Sequence, residues 1–385
     1  MAVESHLSQA ESTTTPAGSR GIRSSLLDFR DRMISSPKFQ RWAARTPIVR
    51  SLARSRARSL FDLTAGFVYS QVLYACVQLR LFELLAGGAK TVEELGVYMR
   101  IPEDGISRLL LAAESLGLVQ RRSDHLFGLG ELGAAVVANP SIERMVCHHQ
   151  RLYADLADPV SLLKGRRETH LGAFWPYAGA TGEIAPELTT EYSNLMADSL
   201  ALIVDDIFDA YPICRHQHLL DVGGGVGMFA SEALRRCSDI HATVFDLPEV
   251  VKRAEINLAE LGYGHRSSVH GGNAFEDPLP KGPDLISLVR VLHDHHDHEV
   301  MTMLRSAREI LPAQGALMIA EPMANTAGAE PVGEAYFGFY LLAMGKGKPR
   351  TAERLKDMVN AAGFSQCREI KTNRPILVRM LVATP

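Results

Sequence analysis

No uninterrupted apolar run in this 385-residue chain reaches the ~18 residues that a membrane-crossing helix needs. An integral membrane protein is therefore not expected. The N-terminus opens on polar residues with no apolar h-region, which argues against a secretory leader. Charge of one sign is also missing: the net charge is −3, so no overall field draws the chain to nucleic acid. Cysteine is sparse and scattered, at Cys76, Cys147, Cys214, Cys237 and Cys367, with no CxxC pair. Reduced thiols in a cytoplasmic protein without a zinc knuckle are the expectation. Histidine stops altogether after His298.

What is present is enough apolar composition, 46%, for two domains with their own cores. Residues 1–20 are rich in Ser, Thr and Ala and read as a polar tail. From Arg20 to Arg58 there are eleven Lys or Arg against two acids, Asp28 and Asp31. Leu26, Leu27, Phe29, Trp42, Ile48 and Leu52 interleave with them. Two readings fit such a basic arm (residues 1–58 with the tail): amphipathic helices lying on an anionic bilayer, or a solvated arm packed on the rest of the chain.

Residues 59–140 read as short helices. Leu60–Leu85 is apolar nearly all round, which predicts a buried helix. Thr91-Val-Glu-Glu opens the next helix as a capping box, Pro102–Gly117 makes another, and Leu118–Gln120 with Leu126–Leu129 makes a small hairpin. This is a winged-helix pattern. Its second helix offers only Arg108 among Glu103, Asp104 and Glu114, a poor face for DNA, so a dimerisation module is favoured over a DNA reader. Residues 141–212 are irregularly helical and are expected to bridge the halves and cover the active site.

From residue 213 to 385 strands alternate with helices, which predicts an α/β domain, a doubly wound, mainly parallel Rossmann-like sheet. Its first strand, His218–Val222, runs into Gly223-Gly-Gly-Val-Gly227. A dinucleotide fingerprint wants G-x-G-x-x-G, but Met228 occupies the third position. The spacing suits a nucleoside cofactor with no phosphate to cradle. Asp221 can orient the turn or take a cofactor ammonium group. Asp246, ending the second strand, can accept both ribose hydroxyls. Asn273, after the third strand, can read an adenine edge that Phe275 walls. All three strand ends lie on the carboxyl edge, where such sheets bind ligands.

Leu292-His-Asp-His-His-Asp-His-Glu299 contains the H-x-H-x-D-H spacing of two-metal hydrolases. Such a site needs histidines from later loops, and none follow, so no metal is expected. The alternative makes His293 a general base at the end of the fourth strand. Glu321, ending the next strand, is placed to hold the far ring nitrogen. The competing reading makes His293 a surface residue and Asp294 and Asp297 helix caps, and capping accounts for Asp297 most directly.

Asp-Val-Gly-Gly-Gly-Val-Gly, Phe-Asp-Leu-Pro, Leu-His-Asp and Ala-Glu-Pro resemble the plant-type O-methyltransferase family, which includes caffeate and acetylserotonin methyltransferases. Leu152–Pro159, Phe174–Tyr177, Tyr192–Ser199 and Asp284–Leu292 narrow the likeness to its bacterial branch acting on hydroxylated carotenoids. The resemblance covers residues 60–383. It implies S-adenosylmethionine on Asp221, Gly223, Gly225, Asp246, Asn273 and Phe275, His293 as base, and Glu321 as its first orienting acid. It implies a homodimer through the helical N-terminal domain and a hydrophobic polyene acceptor. Met196 matches a substrate-packing methionine, with Trp175, Tyr340 and Met344 as further acceptor contacts. Two positions depart from the pattern: Asn273 replaces an acid, and Pro349 stands where a second orienting acid is expected. A small phenol or polyketide acceptor remains open, as does a noncatalytic cofactor-binding regulator. The expected location is cytoplasmic, with residues 20–58 able to touch the inner membrane.

Overall fold

The computed structural model describes residues 22–165, 168–174, 195–197 and 199–385. The chain divides into two units, Met1–Val72 and Leu73–Pro385. The first contains α1 (Ile22–Ile34), α2 (Pro37–Arg45) and most of α3 (Pro47–Gln78). Pro37 and Pro47 sit at first helical positions, where the missing N–H has no intrahelical acceptor to lose. The basic arm is thus helical. Its apolar residues face solvent: Trp42 is 52% exposed and Ile48 90%.

The expectation of one buried helix over Leu60–Leu85 is corrected. α3 ends at Gln78, and α4 (Leu81–Ala86) begins after Arg80, whose φ of 54° breaks the helix. Phe61, Leu63 and Phe67 are exposed, and burial begins only at Cys76 and Val77. An all-round apolar surface predicts burial without saying by what, and among the described residues Phe61, Leu63 and Phe67 stay exposed. By length and composition alone α3 can also cross a bilayer, contrary to the run-based expectation. Only Asp62 brings charge to residues 61–78.

The second unit opens on the winged-helix pattern. Thr91 accepts from the Glu94 amide and Glu94 accepts from the Thr91 amide, at 3.2 and 2.7 Å, so α5 (Val92–Met99) starts on its capping box. α6 (Glu103–Ser115) leads to a three-stranded sheet of β1 (Lys90–Thr91), β3 (Leu126–Leu129) and β2 (Val119–Ser123). Then follow α7 (Glu131–Val137), α8 (Pro140–Asp155), α9 (Pro159–Leu163), α10 (His170–Phe174) and α11 (Val204–Ala210).

The catalytic sheet has seven strands in the order β6-β5-β4-β7-β8-β10-β9. Their spans are β4 (His218–Val222), β5 (His241–Asp246), β6 (Ser267–Gly271), β7 (Leu285–Val289), β8 (Ala316–Glu321), β9 (Gln366–Ile370) and β10 (Arg379–Thr384). The first five are parallel, and β10 pairs antiparallel with β8 and β9. Helices α12 (Met228–Arg236), α13 (Pro248–Glu260), α14 (Asp297–Ile310), α15 (Gly338–Met344) and α16 (Ala352–Ala361) accompany it. Chain order reverses between β4 and β7, which opens a crevice at their carboxyl ends.

Both sheet faces are buried, and the strand period of two divides their residues cleanly. Leu219, Met318, Met380 and Val382 join one apolar core, while Leu220, Leu317, Ile319 and Leu381 join the other. Truncating one such residue, as in Leu220→Ala, costs about 2–5 kcal/mol. One expectation about cysteine is overturned here. Cys214, in the turn before β4, and Cys237, capping the end of α12, form a disulfide with Cα atoms 5.0 Å apart. Twenty-three residues separate them, a distance that strand–helix closure removes and sequence spacing cannot show.

Candidate active site

A cavity of about 370 Å³ lies at the switch point, walled by Asp221, Asp246, Asn273, Phe275, Arg290 and Met196 among others. Gly223, Gly225 and Gly227 have φ of 71°, 58° and 80°, values that glycine alone adopts without strain. The Gly225 N–H donates to Asp246 Oδ2 at 2.8 Å, and the Leu247 N–H donates to Oδ1 at 2.7 Å. Asp246 therefore ties the turn to the next strand before it meets any ligand. Met228 opens α12 and lines the cavity.

Asp221 is fully buried beneath this turn. Ser287 donates to its Oδ1 at 2.6 Å, while Oδ2 has no hydrogen-bond partner among the described residues. A Cβ on Gly224 would stand 2.5 Å from that oxygen. Burial pushes the Asp221 carboxyl up to about 7, against the bond from Ser287. Burial likewise raises Asp246, opposed by its two backbone donors. Asn273 uses its side-chain oxygen to accept from the Phe275 N–H at 3.0 Å. The acceptor that the resemblance asks of Asn273 is thus already engaged locally. The Phe275 ring meets His295 edge-on, and Lys346 sits 5.4 Å from its centroid.

His293 stands in a short turn, Leu292–Asp294, that β7 feeds. It is 4% exposed, and Glu321, ending β8, is wholly buried. Parallel pairing of β7 with β8 brings the two together. Nδ1 lies 3.3 Å from Glu321 Oε2, and Nε2 lies 3.3 Å from Asp294 Oδ1. Burial disfavours the imidazolium, but Asp294 and Glu321 outweigh it and leave the His293 pKa above its ordinary value. Asp294 is no helix cap. It is the second carboxylate on the imidazole. Asp297 is not the cap either: His296 holds that position, and Asp297 pairs with Lys348, Arg350 and Arg354. The remaining histidines of the turn diverge, His295 onto Phe275 and His296 onto His298.

The acceptor contacts divide. Met196 lines the cavity, its sulfur 3.9 Å from an Arg290 nitrogen. Tyr340 is held by His148 Nε2 at 2.9 Å. Met344 packs into a buried cluster with Leu152, Leu162 and Leu171. Trp175 lies outside the described residues. Sequence reasoning missed several groups. Tyr336 bonds His149 at 2.6 Å, and Phe337 meets the His293 ring edge-on. Both sit in a π-helical turn, Val332–Phe337, a distortion that often marks functional sites. Burial lowers His148 to about 4 and raises Tyr336 to about 12, so these two side chains are uncharged near neutral pH. Arg290, with φ 57°, donates to Ser199 Oγ at 2.5 Å. A basic residue in a strand–loop junction was the only signal for it.

Two family models match the chain: an O-methyltransferase dimerisation domain over residues 61–139 and an O-methyltransferase domain over residues 153–365. A demethylspheroidene O-methyltransferase of Cereibacter sphaeroides is 41% identical, covering 91% of this chain and 93% of that protein. Its namesake from Rhodobacter capsulatus is 36% identical, covering 95% and 92%. The chain belongs to the O-methyltransferase family. Its fold is also that of the solved S-adenosylmethionine-dependent methyltransferase SibL, with TM-score 0.72 and 22% identity over 85% of this chain and 98% of that one. The O-methyltransferase domain match takes in the glycine turn, His293, Glu321 and Arg350. The dimerisation match begins inside α3, where the exposed apolar residues lie.

Proposed function

We propose that the chain transfers a methyl group from S-adenosylmethionine to the tertiary hydroxyl of a hydroxylated carotenoid. The observation that carries methyl transfer is His293 held between Glu321 and Asp294 beside the glycine-turn cavity. The two demethylspheroidene relatives favour the carotenoid acceptor over a phenol or polyketide.

The residues present fit the cofactor. Asp221 Oδ2 is a buried acceptor with no hydrogen-bond partner among the described residues, directly beneath Gly224 of the glycine turn, and is suited to a cationic ammonium group. Asp246 would take the ribose hydroxyls, Phe275 would wall the base, and Asn273 would lie at its edge; all three line the cavity. When bound, S-adenosylmethionine supplies an electrophilic methyl on a sulfonium centre. His293 keeps its Nδ1 proton on Glu321, and its Nε2, with Asp294 Oδ1 beside it at 3.3 Å, would take the proton of the acceptor hydroxyl. A tertiary alcohol is a far weaker acid than imidazolium, so the proton passes to Nε2 as the oxygen attacks, not before. The imidazolium so formed lies between two carboxylates, which stabilises it as charge develops. Phe337, Tyr336 and Tyr340 form an uncharged aromatic wall for a polyene, and alignment supplies most of the acceleration.

The same reading assigns the exposed end of α3 to a homodimer contact and the basic arm to an anionic bilayer in which the acceptor is dissolved. Methyl transfer from labelled S-adenosylmethionine, tested on hydroxylated carotenoids and on a phenol panel, decides it. Transfer to phenols alone would overturn the acceptor, and cofactor binding with no transfer to either would favour a regulator.

A further inference from the structure

The turn that carries His293 is gripped from behind by a segment fifty residues later. Arg350 is 2% exposed. Its Nη1 donates to the Leu292 carbonyl and its Nη2 to the His295 carbonyl, both at 2.7 Å. These two carbonyls flank His293 and Asp294. Between them, the Lys348 N–H donates to the His293 carbonyl at 2.9 Å. Gly347, with φ 85°, lets the strands of chain approach this closely: a Cβ there would stand 2.2 Å from the His293 oxygen. On the outer side Asp297 Oδ1 accepts from Arg350 Nε and Nη2 at 2.9 and 2.8 Å.

A planar guanidinium has five donors in a rigid fork, and here it makes four hydrogen bonds, two to backbone carbonyls of the turn and two to Asp297. A buried carbonyl without such a donor is costly, so the turn cannot rotate without breaking several bonds together. We propose that Arg350 is the positioning residue of the base turn, fixing the backbone on both sides of His293 so that the imidazole stays between Glu321 and Asp294. Arg350 bonds the backbone of the turn and Asp297, so it acts through the turn. It also explains how this chain keeps its base ordered with Pro349 in place of an acid: the neighbouring residue holds the backbone, and Asp294 supplies the charge.

The proposal rests on the reading of His293 as the base. Arg350→Lys keeps the charge but loses the fork. With cofactor affinity unchanged, it should lower the single-turnover methyl-transfer rate by ~10²-fold, the usual cost of a misplaced reacting group. The KM for the acceptor should hold. Histidine NMR of the cofactor-free protein should show the His293 titration moving down towards the ordinary imidazole value. In a His293→Ala background the same change should cost nothing further. Asp297→Asn leaves the two backbone bonds and loosens only their anchor, so it should give the same shifts on a smaller scale; it decides the matter if Arg350→Lys does not fold. A folded Arg350→Lys, or failing that Asp297→Asn, with unchanged rate and unchanged His293 titration overturns the proposal. So does an undiminished loss in the His293→Ala background. If His293→Ala alone is harmless, the base reading fails instead, and the NMR titration still reports on the positioning.

Discussion

Glu321 Oε2 lies 3.2 Å from the backbone nitrogen of His293 and 3.3 Å from its Nδ1. One carboxylate oxygen therefore fixes both where the residue stands and how its ring is turned. His293→Ala should lower turnover by ~10²–10⁴-fold, the usual share of general-base transfer, with cofactor affinity nearly unchanged. Glu321→Gln should cost less, because an amide oxygen can still accept from Nδ1 while the charge behind the imidazolium is lost. Single-turnover kinetics are the measurement, since slow product release hides a change in chemistry. Near-wild-type turnover in His293→Ala would mean that alignment alone drives transfer.

The pH dependence follows from the same pair. A base must be neutral to accept a proton. Burial lowers the His293 pKa, but Asp294 and Glu321 raise it past the ordinary 6.5. Activity should therefore be lost, as pH falls, through a midpoint above 6.5. Asp294→Asn removes the larger of the two raising charges, so its acidic limb should move down. A limb that stays fixed in Asp294→Asn, read from single-turnover rates across pH, would show that Asp294 does not feel the imidazole.

Cofactor binding should release protons near neutral pH. Burial holds the Asp221 carboxyl at about 7 in the cofactor-free protein, and an ammonium group beside Oδ2 favours the ionised form. Calorimetry in buffers of different ionisation enthalpy measures this directly, and Asp221→Asn should abolish it. Asp246→Ala should weaken affinity more than the loss of its ligand contacts alone, at about 1.5–3 kcal/mol per charged hydrogen bond. It also releases the Gly225 and Leu247 amides that shape the turn. Equal affinity in Asp246→Ala and the parent protein would remove Asp246 from the site.

The arm should bind anionic bilayers in a salt-sensitive way. A deletion at residue 58 would cut through α3, so charge reversal is the cleaner change. Replacing Arg41, Arg45, Arg50 and Arg54 by Glu should sharply reduce co-sedimentation with phosphatidylserine vesicles, at roughly 1 kcal/mol per basic residue. Raising the salt concentration should do the same. Undiminished co-sedimentation of the reversed protein would leave the arm as structural packing.

Local pattern alone determined much of this protein. Strand β4, the glycine turn and helix α16 are legible because their signals are short-range: apolar runs, positive-φ glycines and a helical period. Asp246, Asn273 and Phe275 could be set on one edge because parallel strands deliver their ends to the same side. Other features depend on contacts between distant segments. Asp294 reads as a cap until the turn folds it back onto Nε2. Nothing local in the sequence shows that α15 packs Met344 against Leu152 and Leu171. Cys214 and Cys237 look unrelated until β4 and α12 close the loop between them. Arg350 looks like one more basic residue until its guanidinium reaches a carbonyl 58 positions earlier. Hydrogen bonds and close packing act over a few ångströms, and only the closed sheet brings these residues within that range.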